Sequence, residues 1–266
     1  MSVITKRVNS IEYLIAENIS VPHCFTTRYG GVSTGSQASL NLAFGRGDTM
    51  ENVEENLRIL ASALGFDPGK YVLTRQTHSD IVRVVTDAHC AGLCHQAYPE
   101  CDALVTNTPG VALLVFTADC TPVLLHDPVT GAVGAAHAGW RGTASKIAAK
   151  TALAMMEHFG CKAENIRAAI GPNIGQCHFE TDADVPEAIL AAYGEEARPF
   201  MEKRGEKFHL DLKQINALAL KQLGITHIEL STDCTMCQPD RFWSHRYTRG
   251  QRGSQGAIIV CKEGCQ

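Results

Sequence analysis

Apolar residues along the chain fall in short blocks separated by turn residues, the signature of strands rather than long helices. Residues 12–16 and 24–28 read as strands, followed by a Gly/Ser-rich turn at residues 29–35. Val53, Leu57, Leu60 and Leu64 then recur at helical spacing and predict one apolar helix face. Asp48, with Glu51 three residues on, predicts the N-cap and capping box of that helix, and Gly65 its end. From Tyr71 the pattern returns to strands, at residues 71–75, 81–85, 103–106, 111–117, 122–125 and 132–137. The run Val111-Ala-Leu-Leu-Val-Phe116 is apolar on both faces, so it predicts a central strand covered on both sides. Helices are expected over 143–159, 184–193 and 212–223, and strands over 166–170, 227–230 and 257–261.

Strands outnumber helices and do not alternate with them regularly. The expected fold class is therefore α/β of the mixed-sheet kind, an α+β layered sandwich with helices packed outside mixed β-sheets, rather than a doubly wound sheet. No G-x-G-x-x-G or Walker loop is present. No repeat or Pro/Ser-rich linker divides the chain, so residues 1–266 are expected to form a single domain. A hydrophobic content of 45% argues against disorder, and a net charge of -4 gives no whole-chain reason to bind nucleic acid or an anionic membrane. Small anions remain compatible with that charge. No segment approaches about 18 uninterrupted apolar residues, and the first ten residues lack the apolar core of a signal peptide. The expectation is a cytoplasmic protein, with no sequence signal for its oligomeric state.

What changes this picture is 11 cysteines and 11 histidines. With an odd cysteine count and no export signal, a disulfide framework is not the expected use of these thiols. Most should pack as small hydrophobes. Three segments, however, set ligand-capable residues where apolar strands end: Thr74-Arg-Gln-Thr-His78, Ala118-Asp-Cys120 and Ala136-His137-Ala-Gly-Trp-Arg141. His78, Cys120 and His137 would suit Zn²⁺ with a fourth position left for water or substrate. Their separations, 42 and 17 residues, are too long for a zinc finger, so the fold would have to assemble the set. A Cys120 nucleophile with His137 as its base requires the same proximity and stays open as an alternative.

The strings Cys101-Asp-Ala-Leu-Val-Thr106, Ala118-Asp-Cys-Thr-Pro-Val123, His137-Ala-Gly-Trp-Arg-Gly142, Gly171-Pro-Asn-Ile-Gly175, Asp233-Cys-Thr-Met-Cys237 and Phe242-Trp-Ser-His-Arg246 resemble the laccase-domain family. That family is also called multicopper polyphenol oxidoreductase, peptidoglycan editing factor and purine nucleoside phosphorylase. Ordered matches run from about residue 25 to 260. The resemblance implies one Zn²⁺ held by His78, Cys120 and His137. It also implies phosphorolysis of adenosine, inosine, guanosine and S-methyl-5'-thioadenosine, with adenosine deamination as an additional activity. Cys120, His137 and Arg141 are then the candidate catalytic groups. Arg28, Gln76, Arg141 and Arg246 are candidates for binding substrate or phosphate, since guanidinium forks suit phosphate oxygens. Asp119 is a candidate partner for a metal-bound histidine.

Three positions depart from the family pattern, Asn173, Ser254 and Tyr247, and bear on anion contacts. The chain also lacks the combined H-x-E with P-C-x-x-C signature of zinc deaminases, since no P-C-x-x-C string is present. Cys234-Thr-Met-Cys237 has no second C-x-x-C and reads as mainly structural. His89, Cys90, Cys94, His95 and Cys101 crowd one segment and form a candidate accessory metal site. Rival functions are a copper-dependent polyphenol oxidase, a Cys-His hydrolase or amidase editing peptidoglycan precursors, and a non-enzymatic metal-binding protein. Only one clear His/Cys/His set is visible for copper, which ranks the oxidase lower.

Overall fold

The structure is a computed structural model that describes residues 3–90 and 100–262. Its strands in chain order are β1 (Ile4–Val8), β2 (Ile11–Ile15), β3 (His23–Thr26), β4 (Tyr71–Leu73), β5 (Val82–Val84), β6 (Ala103–Thr106), β7 (Ala112–Thr117), β8 (Thr121–His126), β9 (Val133–Ala138), β10 (Arg167–Ile170), β11 (Glu180–Thr181), β12 (Met201–Arg204), β13 (Lys207–Leu210), β14 (His227–Leu230) and β15 (Gln255–Val260). The helices are α1 (Met50–Leu64), α2 (Trp140–Ala144), α3 (Ile147–Phe159), α4 (Asp184–Tyr193), α5 (Leu212–Gln222) and α6 (His245–Thr248).

Two six-stranded sheets run in the orders β1-β2-β3-β15-β7-β4 and β14-β10-β8-β9-β6-β5, with a small third sheet β11-β13-β12. Both large sheets are mixed. The pairs β4–β7, β5–β6 and β10–β14 are parallel and the other pairs antiparallel. The large sheets face each other across a core that includes Phe25, Leu113, Val115 and Ile259 from the first and Leu104, Leu124 and Ala135 from the second. Helix α1 covers the outer face of the first sheet with Val53, Leu57 and Leu60. Helices α3 and α5 cover the outer face of the second through residues such as Ala152, Met155 and Leu220. The layered sandwich with outer helices is therefore the observed fold. Residues Ala112 to Val115 of β7 are all fully buried, as the two-sided apolar run predicts, but β7 is an interior strand next to the edge strand β4 and not the centre of its sheet. Burying each leucine contributes about 2 kcal/mol, more than helix or strand propensity at any single position.

The departures are local. Helix α1 begins one residue later than expected: Thr49, not Asp48, accepts from the Asn52 amide as N-cap. Asp48 instead gathers Ser33, Asn41 and Asn52 around its carboxylate and ties the glycine-rich turn to the helix. The helix expected over 143–159 is two helices, because Lys146 adopts φ 59° between them. Strand β1 and the small sheet β11–β13 were not expected, because their sequences are largely polar and mostly exposed. Among the described residues no helix is long and apolar enough to cross a membrane.

Candidate active site

Strand order explains how residues 42 and 17 positions apart converge. Strands β4 and β7 are parallel neighbours, so their C-terminal ends lie at one edge of the first sheet. His78 follows β4, and Cys120 lies in the short link by which the chain leaves β7 and enters β8 of the second sheet. The antiparallel register of β8 on β9 pairs Thr121 with Ala138 and Pro122 with His137, which sets Cys120 beside the end of β9. The result is a trio whose ligand atoms, one each from His78, Cys120 and His137, all lie within 4.8 Å of one another. Cys120 Sγ is 3.8 Å from His78 Nε2, and the two imidazoles meet edge to face with centroids 5.0 Å apart. Gly139 makes this closeness feasible, since a Cβ there would sit 2.7 Å from the His78 ring and 3.2 Å from Cys120 Sγ.

The donor chemistry fits a tetrahedral divalent ion. Two imidazole nitrogens and one thiolate are ligands that zinc accepts, and three protein ligands leave the fourth position for a reactant. His78 and Cys120 are reachable from solvent while His137 is buried, so the opening faces outward.

The residue that organises the trio is Asp102, fully buried at the entrance to β6. Its Oδ1 accepts from His137 Nδ1 at 2.8 Å and from the His78 amide at 3.2 Å. Its Oδ2 accepts from the Ser79 hydroxyl, the Ser79 amide and the Thr77 amide at 2.6, 2.7 and 3.2 Å. Burial alone would raise the Asp102 pKa, but these hydrogen bonds and the His137 charge lower it to about 2. One carboxylate thus fixes the His137 ring with Nε2 free for the trio and also clamps the turn that carries His78, where His78 itself adopts φ 60°. Asp119, the expected partner of a ligand histidine, does something else. It accepts from the Thr235 hydroxyl at 2.6 Å and the Arg246 amide at 2.7 Å, holding its own φ of 89° beside Cys120. The sequence signal for Asp102 was present in the Cys101-Asp-Ala-Leu-Val string, but only cross-strand pairing of β6 with β9 sets it opposite His137.

Without a bound cation, the trio stores charge as a thiolate–imidazolium pair. Burial alone would raise the Cys120 thiol, but the His137 charge and hydrogen bonds from His137 and His78 lower it to about 6. Burial would lower His137, but the Cys120 thiolate and the Asp102 carboxylate raise it to about 9. With no metal on the trio, Cys120 is therefore favoured as a thiolate above about pH 6, whereas burial holds Cys101, Cys161 and Cys261 at about 11 to 12. Iodoacetamide at pH 7 should alkylate Cys120 before those three, with peptide mass mapping as the readout, and its rate should fall as pH drops below 6. Equal labelling of Cys120 and Cys161 would contradict this electrostatic picture.

A cavity of about 420 Å³ opens over the trio, walled by Phe44, Leu73 and Phe116 on its apolar side and by Arg46, Arg75 and Arg252 on its cationic side. The expected arginines are elsewhere. Arg28 donates to the carbonyls of Ala38 and Pro239 and stacks on Trp243 at 3.9 Å, locking the glycine-rich turn in place. Arg246 donates to the carbonyls of His178 and Glu180. Arg141 lies over the Trp140 ring at 4.3 Å, outside the cavity wall. Gln76 does line the cavity, but its amide is committed to both backbone groups of Phe116 and to Thr74. Arg252 is the informative cation. It is 9% exposed, its Nη1 donates to Ser254 and the Gly253 carbonyl, and its Nε is buried without a partner. Burial, then the charge of Arg46, lowers its pKa to about 10. Ser254, one of the family departures, is the residue that orients it. Asn173, another, is buried and donates to Thr121, while Tyr247 is exposed at the surface. Of the candidate accessory metal segment, Cys94 and His95 lie outside the described residues. His89 caps a turn at Thr86, and Cys101 is buried in the inter-sheet core.

The chain is similar in sequence and in fold to several known proteins. The purine nucleoside phosphorylase of Deinococcus radiodurans is 42% identical over 247 residues, covering 92% of this chain and 91% of that one. The purine nucleoside phosphorylase YlmD of Geobacillus stearothermophilus is 36% identical over 244 residues, covering 90% of this chain and 89% of that one. The crystal structure of YlmD from Geobacillus stearothermophilus superposes with a TM-score of 0.93 at 32% identity, covering 99% of this chain and 100% of that one. That of the Bacillus licheniformis hypothetical protein YfiH gives 0.91 at 34% identity, covering 97% and 99%. The family described as multi-copper polyphenol oxidoreductase laccase matches residues 22–262, the span that holds every strand from β3 onward, the trio and its cavity, and this chain belongs to that family.

Proposed function

We propose that this protein is a zinc-dependent purine nucleoside phosphorylase acting on adenosine, inosine, guanosine and S-methyl-5'-thioadenosine, with adenosine deamination as a second activity. The observation that carries the reading is the pairing, in one cavity, of a His78–Cys120–His137 ligand set with the Arg46 and Arg252 guanidiniums. The names of its relatives support the phosphorylase part of this reading. Residues 1–266 act as one laccase-like domain in this reading. Its location is the cytoplasm, a reducing compartment that suits the free thiols of all described cysteines.

In phosphorolysis a phosphate oxygen forms a bond to ribose C1' while the bond from C1' to the purine nitrogen breaks, giving ribose 1-phosphate and free base. Zinc bound by the trio would supply Lewis-acid polarisation of a substrate oxygen. The chain's own residues do the positioning. Arg252, held by Ser254, and Arg46 line the cavity and supply positive charge for the phosphate dianion. Phe44, Leu73 and Phe116 offer apolar walls to a purine ring. Asp102 keeps His137 in one tautomer and orientation.

Purified protein incubated with inosine or adenosine should release ribose 1-phosphate only when phosphate is present. Cleavage of an amide without phosphate would instead favour a Cys-His hydrolase, the second reading that the low Cys120 pKa supports. Arg252→Ala and Arg46→Ala should each raise the KM for phosphate about 10- to 100-fold, the value of one charge-assisted hydrogen bond, with zinc content unchanged. An unchanged phosphate KM in both, with Arg141→Ala governing it, would reassign the anion site.

A further inference from the structure

A second cluster of soft ligands, remote in sequence from the first, forms behind it. Strands β10 and β14 are parallel neighbours, with Ile170 paired to Leu230, so the loops that follow them leave the same edge of the second sheet. A backbone bridge between Asn173 and Cys234 keeps those loops side by side. Cys177 and His178 come from the first loop, Cys234 and Cys237 from the second, and one ligand atom from each lies within 4.8 Å of all the others. Four of the six separations are Cys177 Sγ to Cys237 Sγ 3.6 Å, and His178 Nδ1 to Cys177, Cys237 and Cys234 Sγ 3.2, 3.3 and 3.8 Å. Four ligands about 2.1 to 2.3 Å from a common centre at tetrahedral angles lie about 3.4 to 3.8 Å apart, so these four spacings are close to the edges of one zinc tetrahedron.

From this geometry we infer that Cys177, His178, Cys234 and Cys237 form a second, structural zinc site of the closed Cys₃His type. All four positions are filled by protein, so it offers no vacancy for substrate. Three donors are thiols and one is an imidazole, the Cys₃His set found at structural zinc sites. The surroundings are built for the charge. Three thiolates on Zn²⁺ leave a net negative charge, and the Gly175 amide donates to Cys234 Sγ at 3.1 Å. Lys213, buried with its ammonium on the Asp233 carbonyl, supplies a nearby cation. Gly175 cannot carry a side chain without a Cβ closing to 3.2 Å on Cys234.

The site also has a structural consequence. Thr235, between the two ligand cysteines of the second loop, holds the Asp119 carboxylate, and the Ile174 amide in the first loop donates to the Asp119 carbonyl at 2.9 Å. Zinc at the tetrad thus braces both loops that fix the backbone next to Cys120, without sharing a ligand with the trio.

The test is zinc stoichiometry of the full chain purified under reducing conditions and reconstituted with Zn²⁺, by elemental analysis and native mass spectrometry. Two zinc ions per chain are expected. His78→Ala should remove one, and Cys177→Ser with Cys237→Ser should remove the other. Should the cysteine variant fail to fold, zinc X-ray absorption on the unaltered protein decides the matter. The trio carries one sulfur and the tetrad three, so two occupied sites average two sulfurs per zinc. One zinc per chain with a single sulfur, two zinc ions retained in the cysteine variant, or a Cys177–Cys237 disulfide under those reducing conditions would each overturn the assignment.

Discussion

Cys120→Ala is expected to lose the zinc of the trio and with it phosphorolysis, while the fold persists. The side chain removed is small and stands at the mouth of the cavity, so little apolar contact is lost from the core. What is lost is the only anionic ligand of the trio. Two neutral imidazoles, 5.0 Å apart between centroids, then have no thiolate to bring a divalent ion between them. Turnover should fall by at least about 10³-fold, the several kcal/mol that a metal contributes to charge stabilisation. His78→Ala should do the same. Circular dichroism and thermal unfolding check the fold, elemental analysis the zinc, and ribose 1-phosphate release the activity. A folded variant without trio zinc that still cleaves inosine at the parental rate would sink the metal-dependent reading.

Asp102→Asn, a change of one atom type, should be the most destabilising conservative substitution in the site. Every hydrogen bond at the carboxylate is accepted, from His137 and the His78 amide on one oxygen and from Ser79 and Thr77 on the other. An amide must turn its NH₂ toward one of those donor sets, whichever way it is flipped, and His137 loses its buried counter-charge. Removing one partner of a buried pair costs about 3–5 kcal/mol, and a lost partner of a ligand histidine about 10- to 100-fold in metal affinity. The expected observations are a Tm lower by several degrees and weakened zinc retention against a chelator. Wild-type stability and zinc affinity in this variant would remove Asp102 from its organising role. The pH dependence has a definite sign. Because the Asp102 pKa is lowered from 3.8 to about 2, its contribution is complete above pH 4 and is lost as pH falls through 2. That shift corresponds to about 2 kcal/mol of stability.

Much of the fold was legible in the chain because burial leaves a periodic mark. The two-sided run at Val111 to Phe116 announced a strand covered on both faces, and the repeat from Val53 to Leu64 the covering helix. Phe116 is the partial exception, half-buried where it meets the cavity, a detail no periodicity carries. The break at Lys146 left no mark, since neither glycine nor proline announces it. Polar edge strands such as β1 and β12 escaped for the same reason: their pairing is through backbone groups that every sequence possesses.

Which residues can serve as ligands, and that His78, Cys120 and His137 stand at strand ends, is legible in the chain because residue chemistry and burial pattern are local properties. Which ligand-capable residues meet depends on how the strands assemble. Strand order brings Asp102 opposite His137, Arg252 and Arg46 rather than Arg28, Arg141 and Arg246 to the cavity, and Cys177 and His178 to Cys234 and Cys237. Pairing between strands far apart in the chain depends on the packing of whole apolar faces against one another. A site made by such pairing belongs to the core that assembles it, and no segment of sequence contains it alone.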